Sequence, residues 1–178
     1  MKIINVLGGV AAAALFAMPA MAQDAQVYAG VGVDSFEFDA YTLSGRVGAN
    51  FSDYLGVEGQ AGFGIIDDEE SFGGDEVSVG IDFFGAAFLT GRFPASEQFD
   101  VVGRVGYYYV DAGAEINGNT VDLEAEGIED SADGLAFGAG GQFNFGEGYR
   151  NAVRLEYTYL DGEGGNGDAV SLSFLRRF

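Results

Sequence analysis

At 178 residues the chain is one domain's worth of sequence, and it contains neither cysteine nor histidine. Its 28 acidic residues stand against 8 basic ones, a balance that repels phosphate backbones and excludes nucleic acid as a natural partner. Without an imidazole the Ser-His-Asp and Cys-His hydrolases, the usual zinc sites and haem ligation are also out of reach.

Residues 1–22 read as an export signal. Met1-Lys2 gives a positive start, an apolar run extends from Val6 through Ala17, and Ala20-Met21-Ala22 supplies a small-x-small cleavage pattern. The run falls short of the about 20 apolar residues that a spanning helix needs. Cleavage after Ala22 leaves residues 23–178 as a single domain beginning at Gln23. Lys2 is the only lysine, so the mature chain carries seven arginines against 28 acids, a net charge near −21. An exported chain without cysteine has no disulfide staple and must draw its stability from apolar surface.

From there the sequence reads as strands, in period-2 alternation. Val27, Ala29, Val31 and Val33 oppose Tyr28, Gly30, Gly32 and Asp34. In 41–51, Tyr41, Leu43, Gly45, Val47, Ala49 and Phe51 oppose Thr42, Ser44, Arg46, Gly48 and Asn50. Val57, Ala61, Phe63 and Ile65 oppose Glu58, Gln60, Gly62 and Gly64. The segment 77–90 is strand-like, but Phe83-Phe84 and Phe88 leave its facing open. Val101, Val105, Tyr107 and Tyr109 oppose Arg104, Gly106 and Tyr108. Leu135, Phe137, Ala139, Phe143 and Phe145 oppose Ala136, Gly138, Gly140, Gln142 and Asn144. Val153, Leu155, Tyr157 and Tyr159 oppose Arg154, Glu156 and Thr158, and Val170, Leu172 and Phe174 oppose Ser171 and Ser173.

These are eight strands of about ten residues, long for a globular sheet and right for crossing a bilayer at a tilt. The polar faces are mostly Gly, Ser, Thr, Asn and Gln, unlike the Lys/Glu-rich face of a solvated sheet. Aromatics gather at strand ends, with Phe51, Tyr54, Phe93, Phe99, Phe145, Tyr149 and Phe178 as one belt and Phe36, Tyr41, Tyr107, Tyr109 and Tyr159 as the other. The apolar face is therefore expected to meet lipid. Lipid tolerates no open sheet edge, so the fold class is all-β, an eight-stranded antiparallel up-and-down transmembrane barrel.

Connections alternate between tight turns, near 52–53, 94–98 and 146–150, and a second set of loops that starts short at 37–39 and then runs long at 67–76, 111–133 and 161–168. Counting Asp34 with the first, the four loops hold 20 of the 28 acids and no arginine. Solvation accounts for such loops; divalent-cation binding beside anionic lipopolysaccharide is the sharper expectation. Gly164-Gly165-Asn166-Gly167-Asp168 is one residue short of a calcium nonapeptide and occurs once. Gly30-x-Gly32 and Gly138-x-Gly140 precede no helix and read as lumen glycines that leave room for bulkier neighbours.

The polar faces also gather charge. Arg46, Arg104 and Arg154 share the lumen with Glu58, Glu156 and, if its strand faces that way, Asp82, three against three as a low-dielectric interior requires. A tight turn near Ser52 would set Arg46 opposite or nearly opposite Glu58. Eight strands leave a lumen just wide enough for side chains to fill. A salt-bridge plug is the plain expectation; a gated ion path would require the pairs to separate.

The opening Val27-Tyr28-Ala29-Gly30-Val31-Gly32, the Arg-x-Gly pairs at Arg46 and Arg104, Arg154-Leu155-Glu156-Tyr157-Thr158-Tyr159 and the final strand resemble the small OmpA-like, porin-family outer-membrane barrels of proteobacteria. The resemblance spans roughly 26–178. It implies the outer membrane as location, with membrane lipid, lipopolysaccharide and the barrel-assembly machinery as partners. Phe178, with Phe174, Leu172 and Val170 on one face, resembles the family's assembly signal, although Arg176 interrupts the apolar series. The implied function is envelope integrity with at most narrow conductance; the alternative is a surface adhesion module acting through the acidic loops. Lipid A deacylases and surface proteases of this architecture rely on histidine, so no enzyme, catalytic residue, metal site or cofactor is expected. Carboxylates alone could serve a glycosidase, but no pair stands out from the acidic loops.

Overall fold

A computed structural model describes residues 25–36, 40–66, 68–72, 75–116, 119–121, 131–162 and 165–178. The signal expected at 1–22 lies outside them. The strands are β1 (Gln26–Phe36), β2 (Tyr41–Asn50), β3 (Leu55–Ile66), β4 (Asp68–Phe72), β5 (Asp75–Pro94), β6 (Phe99–Ile116), β7 (Asn119–Val121), β8 (Ser131–Phe145), β9 (Asn151–Gly162) and β10 (Gly165–Arg177). Eight of them, β1, β2, β3, β5, β6, β8, β9 and β10, pair antiparallel with their successors. β10 then pairs with β1 from Tyr28↔Arg177 to Phe36↔Ala169, which closes the barrel and removes both edges.

Exposure runs in reverse of a water-soluble protein. Val31 is 61% exposed, Leu43 54%, Phe63 63% and Leu155 56%, whereas Arg46 and Glu156 are each 1% exposed. Apolar side chains therefore point away from the barrel and polar ones into it, the arrangement that a hydrocarbon solvent selects. No helix among the described residues is long and apolar enough to cross a membrane, so the crossing belongs to the strands.

Three features depart from the sequence reading. Phe36, expected in an outer belt, is buried and meets the edge of the Phe84 ring at 5.4 Å. The open question of 77–90 is settled by a register shift between Ile81 and Phe83, which skips Asp82. Beyond this bulge Phe84, Ala86, Phe88 and Thr90 face inward. The loops expected at 67–76, 111–133 and 161–168 are partly sheet, the last because β9 runs to Gly162 and β10 starts at Gly165. β4 pairs with β5 from Asp68↔Val79 to Phe72↔Asp75, and β6 continues to Ile116, where it pairs with β7. Their acidic sequences hide the strand alternation, yet the ladder hydrogen bonds carry on past the apolar band.

Large rings enter the lumen, and glycines make the space. Tyr28 is 3% exposed, and a Cβ at Gly48, its cross-strand partner, would overlap the phenol ring. Gly45, on the outer face of the same strand, has open space where its Cβ would be. Gly48→Ala should therefore lower the unfolding free energy by about 1–3 kcal/mol through overpacking, while Gly45→Ala should change it by less than about 0.5 kcal/mol. Urea unfolding in lipid vesicles checks both.

Candidate functional site

The lumen holds one connected polar network. Glu58 of β3 lies at its centre, 3% exposed. Its Oε2 accepts from the Tyr28 hydroxyl at 2.7 Å and from Arg154 Nη1 at 2.7 Å. Its Oε1 lies 3.3 Å from Arg104 Nη1 and 3.6 Å from Arg46 Nη1. Glu156 of β9 is the second hub, bonded to Arg46 Nη1 and placed 3.6 Å from Arg104 Nε and 3.7 Å from Arg154 Nη1. Neutral groups complete the guanidinium shells. Arg104 donates to Gln60 Oε1 at 3.0 Å and Thr158 Oγ1 at 2.6 Å, and Arg154 donates to Gln142 Oε1 at 2.9 Å. Arg104 also lies 4.2 Å above the Phe88 ring. A Cβ at Gly138 would collide with the Arg104 side chain, so glycine there lets that chain lie along the wall.

Five of the six residues expected in this network meet: Arg46, Glu58, Arg104, Arg154 and Glu156. Asp82 does not. It sits in the β5 bulge, exposed and outside every lumen contact. Asp34 takes the third acidic place, 1% exposed, with Oδ1 3.2 Å from Arg46 Nη2 and with Thr42 and Gln60 donating to it. Three guanidiniums thus face three carboxylates, as buried charge requires. The alternation of β1 puts Asp34 on the inward face, although its acidic sequence neighbours group it with the first loop. Nor is Arg46 directly opposite Glu58: the register sets Arg46 beside Gln60 and Gly48 beside Glu58, so the pair meets diagonally.

A second polar layer lies nearer the turn end. Asp100 accepts from Asn144 at 2.8 Å and Gln142 at 3.3 Å, and lies 3.7 Å from Arg92 and 3.6 Å from Arg177. The cavity between the layers, lined in part by Tyr28, Thr90, Arg154 and Arg177, has a volume of about 10 Å³. That is room for about one water. The buried Nε of Arg46, Nε of Arg104, Oε1 of Glu156 and Oγ of Ser173 have no protein hydrogen-bond partner, and none of these four residues lines that cavity. Among the described residues no cluster of three or more acidic side chains could hold a metal ion. Val170, Leu172, Phe174 and Phe178, the expected assembly signal, are exposed on or just beyond β10, Phe178 by 76%.

The family profile of the outer membrane protein beta-barrel domain matches residues 8–178. The chain belongs to that family. Solved barrels share its shape. The N-terminal β-barrel domain of Pseudomonas aeruginosa OprF superposes with a TM-score of 0.58 at 11% identity, covering 86% of this chain and 97% of that one. Ail, the attachment invasion locus protein of Yersinia pestis, in complex with the heparin analogue sucrose octasulfate, gives 0.55 at 17%, again over 86% and 97%. Neisserial surface protein A gives 0.53 at 12%, over 86% and 96%. At these identities the likeness concerns the fold. Among curated proteins, none matches the sequence.

Within the lumen of this family member three guanidiniums and three carboxylates are buried together, so removing one partner leaves the others uncompensated. Glu58→Gln strands three guanidiniums with two carboxylates and should cost about 3–5 kcal/mol of unfolding free energy. Asp34→Asn should also destabilise, whereas Asp82→Asn should stay within about 0.5 kcal/mol. Denaturant midpoints of the three variants in vesicles test this order; an Asp82 effect equal to that of Asp34 would contradict the geometry.

Proposed function

We propose that this outer-membrane barrel is a non-enzymatic envelope protein, exported by a signal cleaved after Ala22 and inserted with its turn end in the periplasm. The observation that carries this reading is the filled lumen. Two stacked polar layers and the buried rings of Tyr28, Phe88 and Tyr108 occupy the lumen among the described residues, and the cavity between the layers has a volume of about 10 Å³, room for about one water. In this reading the barrel reinforces the membrane, and conductance is at most narrow because ions would have to part the Arg46, Glu58 and Glu156 pairs. The exposed series Val170, Leu172, Phe174 and Phe178 is proposed as the contact for the assembly machinery.

A second reading rests on charge. Of the 28 acids, 20 belong to the sequence stretches at the loop end if Asp34 is counted there, and 19 with Asp34 turned inward. Such a surface would attract divalent cations or a cationic ligand. It would repel a polysulfate of the kind bound to Ail, so adhesion here would need a different class of ligand.

Planar bilayers test the first reading. The unaltered protein should give little or no current, and replacing Arg46 and Glu58 together by alanine should raise it severalfold. An unchanged trace in that variant would sink the proposal that these pairs close the lumen. Excision of residues 122–130, which lie outside the described residues, separates the two readings. Detergent resistance with lost attachment favours adhesion; detergent sensitivity favours the envelope role.

A further inference from the structure

The seven arginines divide sharply. Three sit in the lumen network; the other four, Arg92, Arg150, Arg176 and Arg177, all lie at the turn end. Arg92 and Arg177 are tied to Asp100. Arg150 and Arg176 are not tied to any carboxylate: both are exposed, and among the described residues neither forms an ion pair. The two are joined across β9 and β10. Arg176 pairs in register with Asn151, the residue after Arg150, and donates to its Oδ1 at 3.1 Å, while the Arg150 carbonyl accepts from the Arg177 amide at 2.8 Å.

Arg176 is an anomaly for a barrel. It continues the lipid-facing series of Leu172 and Phe174, where hydrocarbon should surround it. A charge on that face is costly at mid-membrane and nearly free at the headgroup level. Beside it, the rows step from polar to apolar. Phe145, Asn151 and Arg176 form one cross-strand row; Phe143, Val153 and Phe174 form the next row inward. The Phe145 ring lies 6.3 Å from that of Phe174 and 6.4 Å from that of Phe143. Two guanidiniums that no carboxylate neutralises, at the rim of an aromatic platform, match an amphiphile with an anionic head and an apolar tail.

We propose that Arg150 and Arg176 bind the phosphate of an anionic phospholipid, whose acyl chain lies over Phe145, Val153 and Phe174. Guanidinium forks suit phosphate oxygens, and the platform supplies the apolar half. The assignment rests on the proposed orientation, which places this rim in the periplasmic leaflet. It explains the break in the apolar series of β10 as a headgroup ligand.

The test uses the purified full barrel in vesicles of phosphatidylcholine, with or without phosphatidylglycerol in both leaflets, so that its outcome does not depend on orientation. Phosphatidylglycerol should raise the urea midpoint of the unaltered protein, and the Arg150→Gln/Arg176→Gln variant should lose at least about half of that shift while keeping its midpoint in phosphatidylcholine. Arg150→Gln alone touches only an exposed side chain and should lose part of the shift even if the double variant folds poorly. Arg150→Lys should retain most of it. An equal shift in all variants, or none in the unaltered protein, overturns the proposal. So does inorganic phosphate reproducing the shift in phosphatidylcholine, since the site would then take a free ion. Failure of the orientation alone would appear separately, as protease access to the acidic loops from the periplasmic side.

Discussion

A backbone amide or carbonyl in hydrocarbon has nothing to bond to except another strand, and the seam between β1 and β10 is where that constraint is met. Nine residue pairs from Tyr28↔Arg177 to Phe36↔Ala169 join the first stave to the last, and every other pairing in the barrel presupposes them. Closure at eight staves fixes the diameter. A barrel of that width has an interior that side chains can fill, and here they do. The shape of the lumen therefore follows from the hydrogen bonds of its wall.

Filling a narrow lumen with charge works only if the signs cancel locally. Glu58 and Glu156 each reach all three interior guanidiniums, so no arginine depends on a single partner. Asp34 adds the third negative charge from β1, the strand that carries the seam. Gln60, Gln142 and Thr158 take the remaining donors without adding charge. The network links β1, β2, β3, β6, β8 and β9, and acts as a cross-brace on a wall whose outer face receives only lipid contacts.

The eight staves, their two faces and the inward arginines were legible because a period of two survives in any strand with lipid on one side. What escaped had physical causes. Asp82 reaches the lumen only if the parity of 77–90 runs unbroken, and the residue skipped at the bulge turns its side chain to the opposite face. Asp34 lies at the end of β1 beside further acids in sequence, so its inward parity was outweighed by the company it keeps. Phe36 shows the same blindness at a strand end: an aromatic there suits a belt or a lumen equally, and only its contact with Phe84 decides. The β4 hairpin was unreadable because sheet beyond the lipid no longer needs an apolar face.

That hairpin changes what the protein presents to its neighbours. The 20 residues of β5 reach roughly 66 Å along the strand at about 3.3 Å per residue, and the apolar band of such barrels is only about 25 Å tall. Much of β5 and β6 therefore stands clear of the membrane as a raised sheet, flanked by β4 on one side and β7 on the other. Among the described residues, β4 and β7 have no second partner strand and form the two edges of this raised sheet. Barrels crowded in one membrane could stitch together along such edges. Asp68, Glu69 and Glu70 make up most of β4, and a strand of that composition disfavours pairing with a second copy of itself.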